Sequence, residues 1–426
     1  MPKIKDYFFN TLWMMSRPVL RLAAAFFVGI FVVRYLGPAR FGQLSFAESF
    51  SGLFFPLAVL GMDTILMRDL VKDASKSNTM LGTAFVMKII GSGLMIASVS
   101  LAVQFTSGDI VTKIMTIIIA SSVIFCPLFH VTEQHFQSQV KAKFSSLCEN
   151  LSVFFSTGLK VVFLCLSLSV VWFAIVILLE RMFRAIVLLF VYAKQGGKVA
   201  FWKFDTKYAR SLIRDSWPMF FSGFSVVLYM KIDQVMIKEM ISNEALGNYA
   251  AAVRVSEMWY FIPIIICTSL FPAILTAQRT NYQTFLKRMH NLYAFLFWLA
   301  ICIAVPMTFL STIIVTALFG DEYVRAGTVL SIHIWAAVFF FLQTASGRWL
   351  IAQGQTRKIL YMNLGGLSIN LFLNFFLIPR IGIIGAAVAT LLAQMYSGFF
   401  YDAIDKDMRT SFIMKLKVWT PFWRIF

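Results

Sequence analysis

The chain has 426 residues, of which 59% are hydrophobic and only 14% charged, and its mean hydropathy is +0.77. Soluble proteins keep about a quarter of their residues charged, so a water-soluble globular protein is excluded and an integral membrane protein is implied. The formal net charge of +18 would suggest nucleic acid in a soluble chain; in a membrane protein it is accounted for by cytoplasmic loops, and no nucleic-acid partner is expected.

Apolar runs near twenty residues recur along the chain, the length a helix needs to cross about 30 Å of hydrocarbon. Alternating ten-residue barrel strands do not occur. Bounded by turn and charge clusters, the runs predict an all-α integral membrane protein with twelve spans: 11–36, 42–67, 80–105, 112–131, 144–167, 170–192, 212–237, 247–276, 290–318, 327–350, 358–378 and 382–402. The preceding "MPKIKDYFFN" is too short and polar for a cleavable signal and is expected to be retained. With the N-terminus inside, the inside segments carry 23 Lys and Arg residues and the outside loops only five, Arg40, Lys113, Lys238, Arg325 and Arg380. That bias predicts two cytoplasmic termini. The outside loops are short, so no external domain is expected. The five cysteines are scattered through apolar runs and read as packing residues; no metal site is predicted.

With Lys113, Arg214, Asp215, Lys358 and Asp402 at the span limits set aside, ten basic and six acidic residues fall inside the spans, where a central charge costs at least about 2.5 kcal/mol on insertion scales. Span one opens on "SRPVLR". If both its arginines sat in water, only Leu22–Val33 would remain, about 18 Å of helix and too short to cross. Arg21 therefore lies within the membrane, with Arg17 one turn away on the same face, and Pro18 starts or kinks the helix. Arg34, Asp63, Lys231 and Arg348 lie near span ends and read as interfacial. Lys88 is central in span three with no acid nearby in sequence. "HVTEQH" (130–135) closes span four without a metal-site spacing.

Span five carries Glu149, Ser156 and Lys160 at i, i+7 and i+11, a polar stripe on one helix face; Glu149 and Lys160 are about 16 Å apart along it. In span six, Glu180 and Arg184 are expected to pair at i, i+4, leaving Arg181 without a local partner. Span seven holds Asp233, and span eight the i, i+3 pair Arg254 and Glu257. His333 in span ten reads as a packed polar residue, with proton relay as the alternative. Span eleven repeats the stripe with Asn363, Asn370 and Asn374. In lipid such stripes face protein or a water-filled cavity; a helix–helix hydrogen-bonding seam is the alternative.

The most basic loop, 193–211, divides the chain in the middle. It predicts a six-helix bundle at 1–192, a basic cytoplasmic linker at 193–211, a second six-helix bundle at 212–402 and a basic tail at 403–426. Weak echoes link the halves: Ser16-Arg17-Pro18 with Ser216-Trp217-Pro218, and the two polar stripes. Six spans per half make these parallel repeats, an arrangement of transporters that bind substrate between halves.

"RYLGPARFGQLSFAESFSGLFFPLAVLGMDTILMRDL" (Arg34–Leu70) resembles the first-repeat signature of polysaccharide exporters, in the superfamily that also holds multidrug/toxin exporters and lipid II flippases. "NLGGLSINLFLNFFLIPRIGIIGAAVATLLAQ" (Asn363–Gln394) is similar to the matching late segment, an Asn-rich helix ending in "IP" before a Gly-Ala-Ala helix. The resemblance implies a Wzx-type flippase of the bacterial inner membrane. Such a protein moves an undecaprenyl-diphosphate-linked oligosaccharide, an O-antigen or other surface polysaccharide unit, to the outer leaflet by alternating access, beside downstream polymerase machinery. No apolar span follows Tyr401, which favours this branch over the lipid II flippases.

The charges fit that implication. A cationic cavity suits a diphosphate, and its candidate residues are Arg17, Arg21, Lys88, Lys160, Arg181, Arg184 and Arg254. No phosphate-binding Gly-rich loop occurs, so any uphill work would draw on protons or Na⁺, with Glu149, Glu180, Asp233 and Glu257 as candidate coupling acids. No other cofactor and no enzymatic activity is expected. Two alternatives remain: a cation-coupled multidrug/toxin exporter, which would need an acid-dominated cavity, and a membrane-embedded polymerase or ligase, which would need long outside loops.

Overall fold

The computed structural model describes residues 4–419. Among them every regular element is helical, as the need to satisfy each backbone group inside lipid demands. In chain order the helices are α1 (Ile4–Val59), α2 (Asp63–Lys72), α3 (Ser77–Ala102), α4 (Ile110–Ser121), α5 (Cys126–Ser138), α6 (Ala142–Cys165), α7 (Val170–Lys194), α8 (Thr206–Met240), α9 (Asn243–Glu257), α10 (Phe261–Thr280), α11 (Tyr282–Phe319), α12 (Val324–Ala352), α13 (Arg357–Ile381), α14 (Ile383–Met395), α15 (Tyr401–Ile404) and α16 (Arg409–Leu416).

Ten helical stretches among the described residues are long and apolar enough to cross a membrane, so the chain is a multi-pass membrane protein. The count differs from twelve for two reasons. Spans one and two fall in one stretch, Leu12–Lys72, because α1 is two helices that meet directly at a kink, with Gly37 (φ 67, ψ 170) the non-helical residue between them. That positive-φ conformation is open to glycine at little cost, and it turns the chain from the first helix into the second without an intervening loop. Span six, α7, falls outside the ten because Glu180, Arg181 and Arg184 interrupt its apolar run.

The chain forms two compact units, Met1–Leu36 with Gln43–Val227, and Gly37–Gly42 with Leu228–Phe426. The division falls inside α8, not in the basic segment 193–211. That segment packs on the first unit. Lys203 N–H donates to the Asn78 carbonyl (3.2 Å) and Asp205 N–H to the Thr83 hydroxyl (3.0 Å). Trp202 donates from its indole to the Tyr192 hydroxyl (3.2 Å) and packs on the rings of Phe85 and Tyr192. The first unit's core at this end is Met62, Leu66, Leu70, Leu81, Ala84, Val131 and Leu212.

The second unit packs on small residues, with Ala250–Ala252, Ala300, Ala304, Ala336, Ala345, Ala386 and Ala389 all buried. Without a hydrophobic drive between helices in lipid, close backbone approach supplies the dispersion contact. Two glycines show it: a Cβ on Gly42 would lie 1.8 Å from the Asn243 carbonyl oxygen, and one on Gly247 1.9 Å from that of Pro38. The described part of the expected tail, 403–419, is also structured. Lys415, read from sequence as a loop charge, forms a fully buried ion pair with Asp402 (2.7 Å) and donates to the Gly398 carbonyl (2.5 Å), which holds α16 on the second unit. Lys3 and Arg424 lie outside the described residues.

Candidate functional site

The charges of the first unit converge where α1, α5, α6 and α7 meet. Arg17 is held by four side chains. Its Nε donates to Ser146 Oγ (2.8 Å) and its Nη2 to Ser145 Oγ (2.7 Å), while Nη1 pairs with Glu133 and reaches Glu149 at 3.5 Å. Arg184 places one nitrogen, Nη2, 2.9 Å from both Glu133 Oε2 and Glu149 Oε2, with its guanidinium 4.3 Å from the Phe129 ring centre. Arg21 is 49% exposed and bridges Glu149 (3.3 Å) and Glu180 (3.2 Å). The four helices thus bring three guanidiniums against three carboxylates.

This pairing replaces the expected local one. Glu180 and Arg184 do not pair at i, i+4; each finds a partner on another helix. In the same way Lys88, which has no acid near it in sequence, is buried against Asp63 (2.5 Å), whose other oxygen lies 3.4 Å from His130 Nδ1. Asp63 is therefore tied into an ion pair rather than left as a lone interfacial charge. Arg181 differs from the others. Among the described residues it has no carboxylate partner; its Nη1 donates to the Ser122 hydroxyl (2.9 Å) and its guanidinium lies 5.8 Å from the Phe55 ring centre. Among the described residues of this cluster, Arg181 is the one arginine without a carboxylate. The cluster is nearly charge-balanced, as the high energy of an unpaired charge in a low-dielectric interior requires.

The two polar stripes diverge. On α6, Glu149 belongs to the arginine cluster, Ser156 turns back to the Val153 carbonyl (3.1 Å), and Lys160 lies three turns beyond Glu149, half-buried. On α13, Asn363 accepts from the Gln343 amide (3.0 Å), while Asn370 and Asn374 are fully buried. Asn374 donates to Asn370 (2.9 Å) and Asn370 to the Thr390 hydroxyl (3.3 Å). Thr390 lies 3.5 Å from the Tyr249 hydroxyl, which bonds Asp233 at 2.5 Å.

Asp233 is thus a buried acid with no basic partner within ion-pair distance among the described residues; it accepts from the Tyr249 hydroxyl and the Gln234 N–H, and a polar chain of Thr390, Asn370 and Asn374 leads on from Tyr249. That donor set suits a proton or a hard monovalent cation. Arg254 and Glu257 do not form the expected pair: Arg254 lies over the Phe41 ring (5.5 Å), and no ion pair involves Glu257 among the described residues. His333 is buried with Nδ1 2.9 Å from the Ser256 hydroxyl, a packed polar residue.

Sequence reasoning missed Glu133, Ser145, Ser146, Tyr249 and Thr390. Glu133 lay in "HVTEQH", which was weighed only as a metal motif. The serines sit one helical turn before Glu149, on its face, a signal that spacing could have supplied.

Comparison with known proteins gives a consistent picture. The family described as "Polysaccharide biosynthesis protein" matches residues 9–278, and the MatE family matches residues 218–376. The chain is 26% identical to the "Probable flippase AglR" of Haloferax volcanii over 39% of its own length and 36% of that protein's. It is 24% identical to the "Probable lipid II flippase MurJ" of Helicobacter pylori over 36% of its length and 37% of that protein's. An uncharacterised membrane protein of Methanocaldococcus jannaschii is 26% identical over 51% of this chain and 44% of its own. The matches thus span less than half the length of these relatives. Among solved structures, a lipid II flippase MurJ in an inward closed conformation superimposes with TM-score 0.72 at 16% identity, over 98% of this chain and 92% of that one. An inward-facing multidrug resistance MATE transporter superimposes with TM-score 0.71 at 12% identity, over 97% and 98%. The fold is the one these transporters share.

Proposed function

The chain belongs to the polysaccharide biosynthesis protein family, and on that premise we propose that it is a flippase for an undecaprenyl-diphosphate-linked oligosaccharide, an O-antigen or other surface polysaccharide unit. It works in a bacterial inner membrane with both termini cytoplasmic, moves the head group to the outer leaflet by alternating access, and hands it to polymerase machinery. The observation that carries this reading is the guanidinium cluster of Arg17, Arg21 and Arg184, with Arg181 nearby on α7. Planar guanidiniums match the geometry of phosphoryl oxygens. Arg181, which among the described residues has only a hydroxyl and a ring as partners, is the readiest to accept one.

Coupling is assigned to Asp233. Its buried carboxylate ends a hydrogen-bonded chain through Tyr249, Thr390, Asn370 and Asn374, a setting that suits a proton or Na⁺ in the low-dielectric interior. The MatE match favours a second reading, a cation-coupled exporter of drugs. A cationic drug would meet guanidiniums in the first unit, which argues against it.

The test is reconstitution into liposomes with a fluorescent lipid-diphosphate oligosaccharide. Leaflet transfer without chain lengthening is the expected result. A lengthened polymer, or transfer only of cationic dyes, would sink the proposal. Arg181→Ala and Arg184→Ala should each reduce transfer at least about tenfold, the scale of one lost charge-assisted hydrogen bond, while the protein still inserts.

A further inference from the structure

We propose that Glu133 and Glu149 are resident counter-ions that occupy the diphosphate's place on Arg17 and Arg184, and that substrate loads by displacing them. The inference rests on the flippase reading above and adds to it how the site is held ready and how it lets go.

Three observations carry it. First, both carboxylates converge on the same nitrogen of Arg184, each at 2.9 Å, and both also reach Nη1 of Arg17. Two anionic groups bridging two guanidiniums is the arrangement a diphosphate would make with its two phosphoryl groups. Second, each guanidinium has a contact besides the acids. Arg17 is tethered through Nε and Nη2 to Ser146 and Ser145, and Arg184 is stacked on Phe129. Third, the acids have partners to retire to. Gln137 already donates to Glu133 (3.0 Å), and Glu149 keeps its second oxygen on Arg21 (3.3 Å).

The charged and titratable groups around these two acids are Arg17 and Arg21 from α1, His130 from α5, and Glu180, Arg181 and Arg184 from α7. Arginine outnumbers acid among them only by Arg181, so an empty site is close to neutral. An unpaired guanidinium in a low-dielectric interior is costly, and a resident carboxylate removes that cost before loading and after release. Exchange of one anion for another keeps both steps shallow. A site with permanently bare arginines would bind the diphosphate tightly and release it slowly.

The experiment measures binding of geranylgeranyl diphosphate to the full-length protein in detergent, with geranylgeraniol as the uncharged control, and transfer of the lipid-diphosphate oligosaccharide in liposomes. Glu133→Gln and Glu149→Gln are each expected to bind the diphosphate roughly tenfold tighter than the native protein, the scale of one charge-assisted contact no longer competed for. Both should transfer it more slowly at saturating substrate. Glu133→Asp, which keeps the competing charge, should bind as weakly as the native protein. Equal or weaker binding by both Gln variants, with the native protein still binding, would overturn the inference and leave the flippase reading standing. No binding of the diphosphate above the alcohol control by any form would remove both.

Discussion

Lys88 is 1% exposed in the third span and is held by Asp63. A lone buried ammonium would be costly, and so would the carboxylate left behind if the lysine were removed. Lys88→Ala should therefore lower stability by about 3 kcal/mol, the usual scale for breaking a buried pair. The measurement is the melting temperature in detergent. Lys88→Met combined with Asp63→Asn should recover most of the loss, because an apolar replacement of the whole pair leaves no orphan charge; a double variant as unstable as the single would show that the pair is not the cause. At this scale the sequence identified which residues carry charge in the spans but not whom they face. Glu180 and Arg184 are one turn apart and suited to pair, yet longer side chains reaching across helices find better partners in Arg21 and Glu133. Side-chain reach across a packed bundle is not encoded in spacing along one helix.

At the scale of elements, α16 is the least expected feature. Its Lys415 is buried on Asp402, and the segment before it is clipped to α13 by Lys358, whose Nζ lies 2.6 Å from both Asp405 and Asp407. The hydrogen bond from Lys358 holds the Asp407 carboxyl below its ordinary value. A carboxylate with a lowered folded-state pKa contributes stability above its unfolded pKa and loses it as pH falls through the folded value. The 405–408 clip should therefore loosen below about pH 4, seen as faster amide exchange across Arg409–Leu416. Lys358→Ala should show the fast exchange already at neutral pH, and unchanged protection in that variant would rule out the clip. The twelve apolar runs were legible element by element because hydrocarbon thickness sets their length. The direct kink between the first two, where a loop was expected, was not, because it depends on the backbone of one residue, Gly37.

For the whole molecule, Asp233, the acid proposed to couple transfer to an ion gradient, is the residue to test. Asp233→Asn should leave diphosphate binding intact and abolish the dependence of transfer on an imposed gradient. Comparing a proton gradient with a Na⁺ gradient in the native protein identifies the ion; full gradient dependence in Asp233→Asn would move coupling elsewhere. By itself the sequence determined that the chain is a helical membrane protein, where its apolar runs lie and which family signature it carries, because these follow from local hydropathy and short contiguous motifs. It also marked Asp233, Asn370 and Asn374 as polar groups in lipid without joining them. Only the tertiary structure decided that they meet through Tyr249 and Thr390, that the basic segment 193–211 packs on the first unit, and that the "SRPVLR" arginines are paired with acids more than a hundred residues away. The physical reason is the same in each case. A charge or dipole in a low-dielectric interior must find a partner, and which partner it finds depends on how helices distant in sequence pack, not on what stands beside it in the chain.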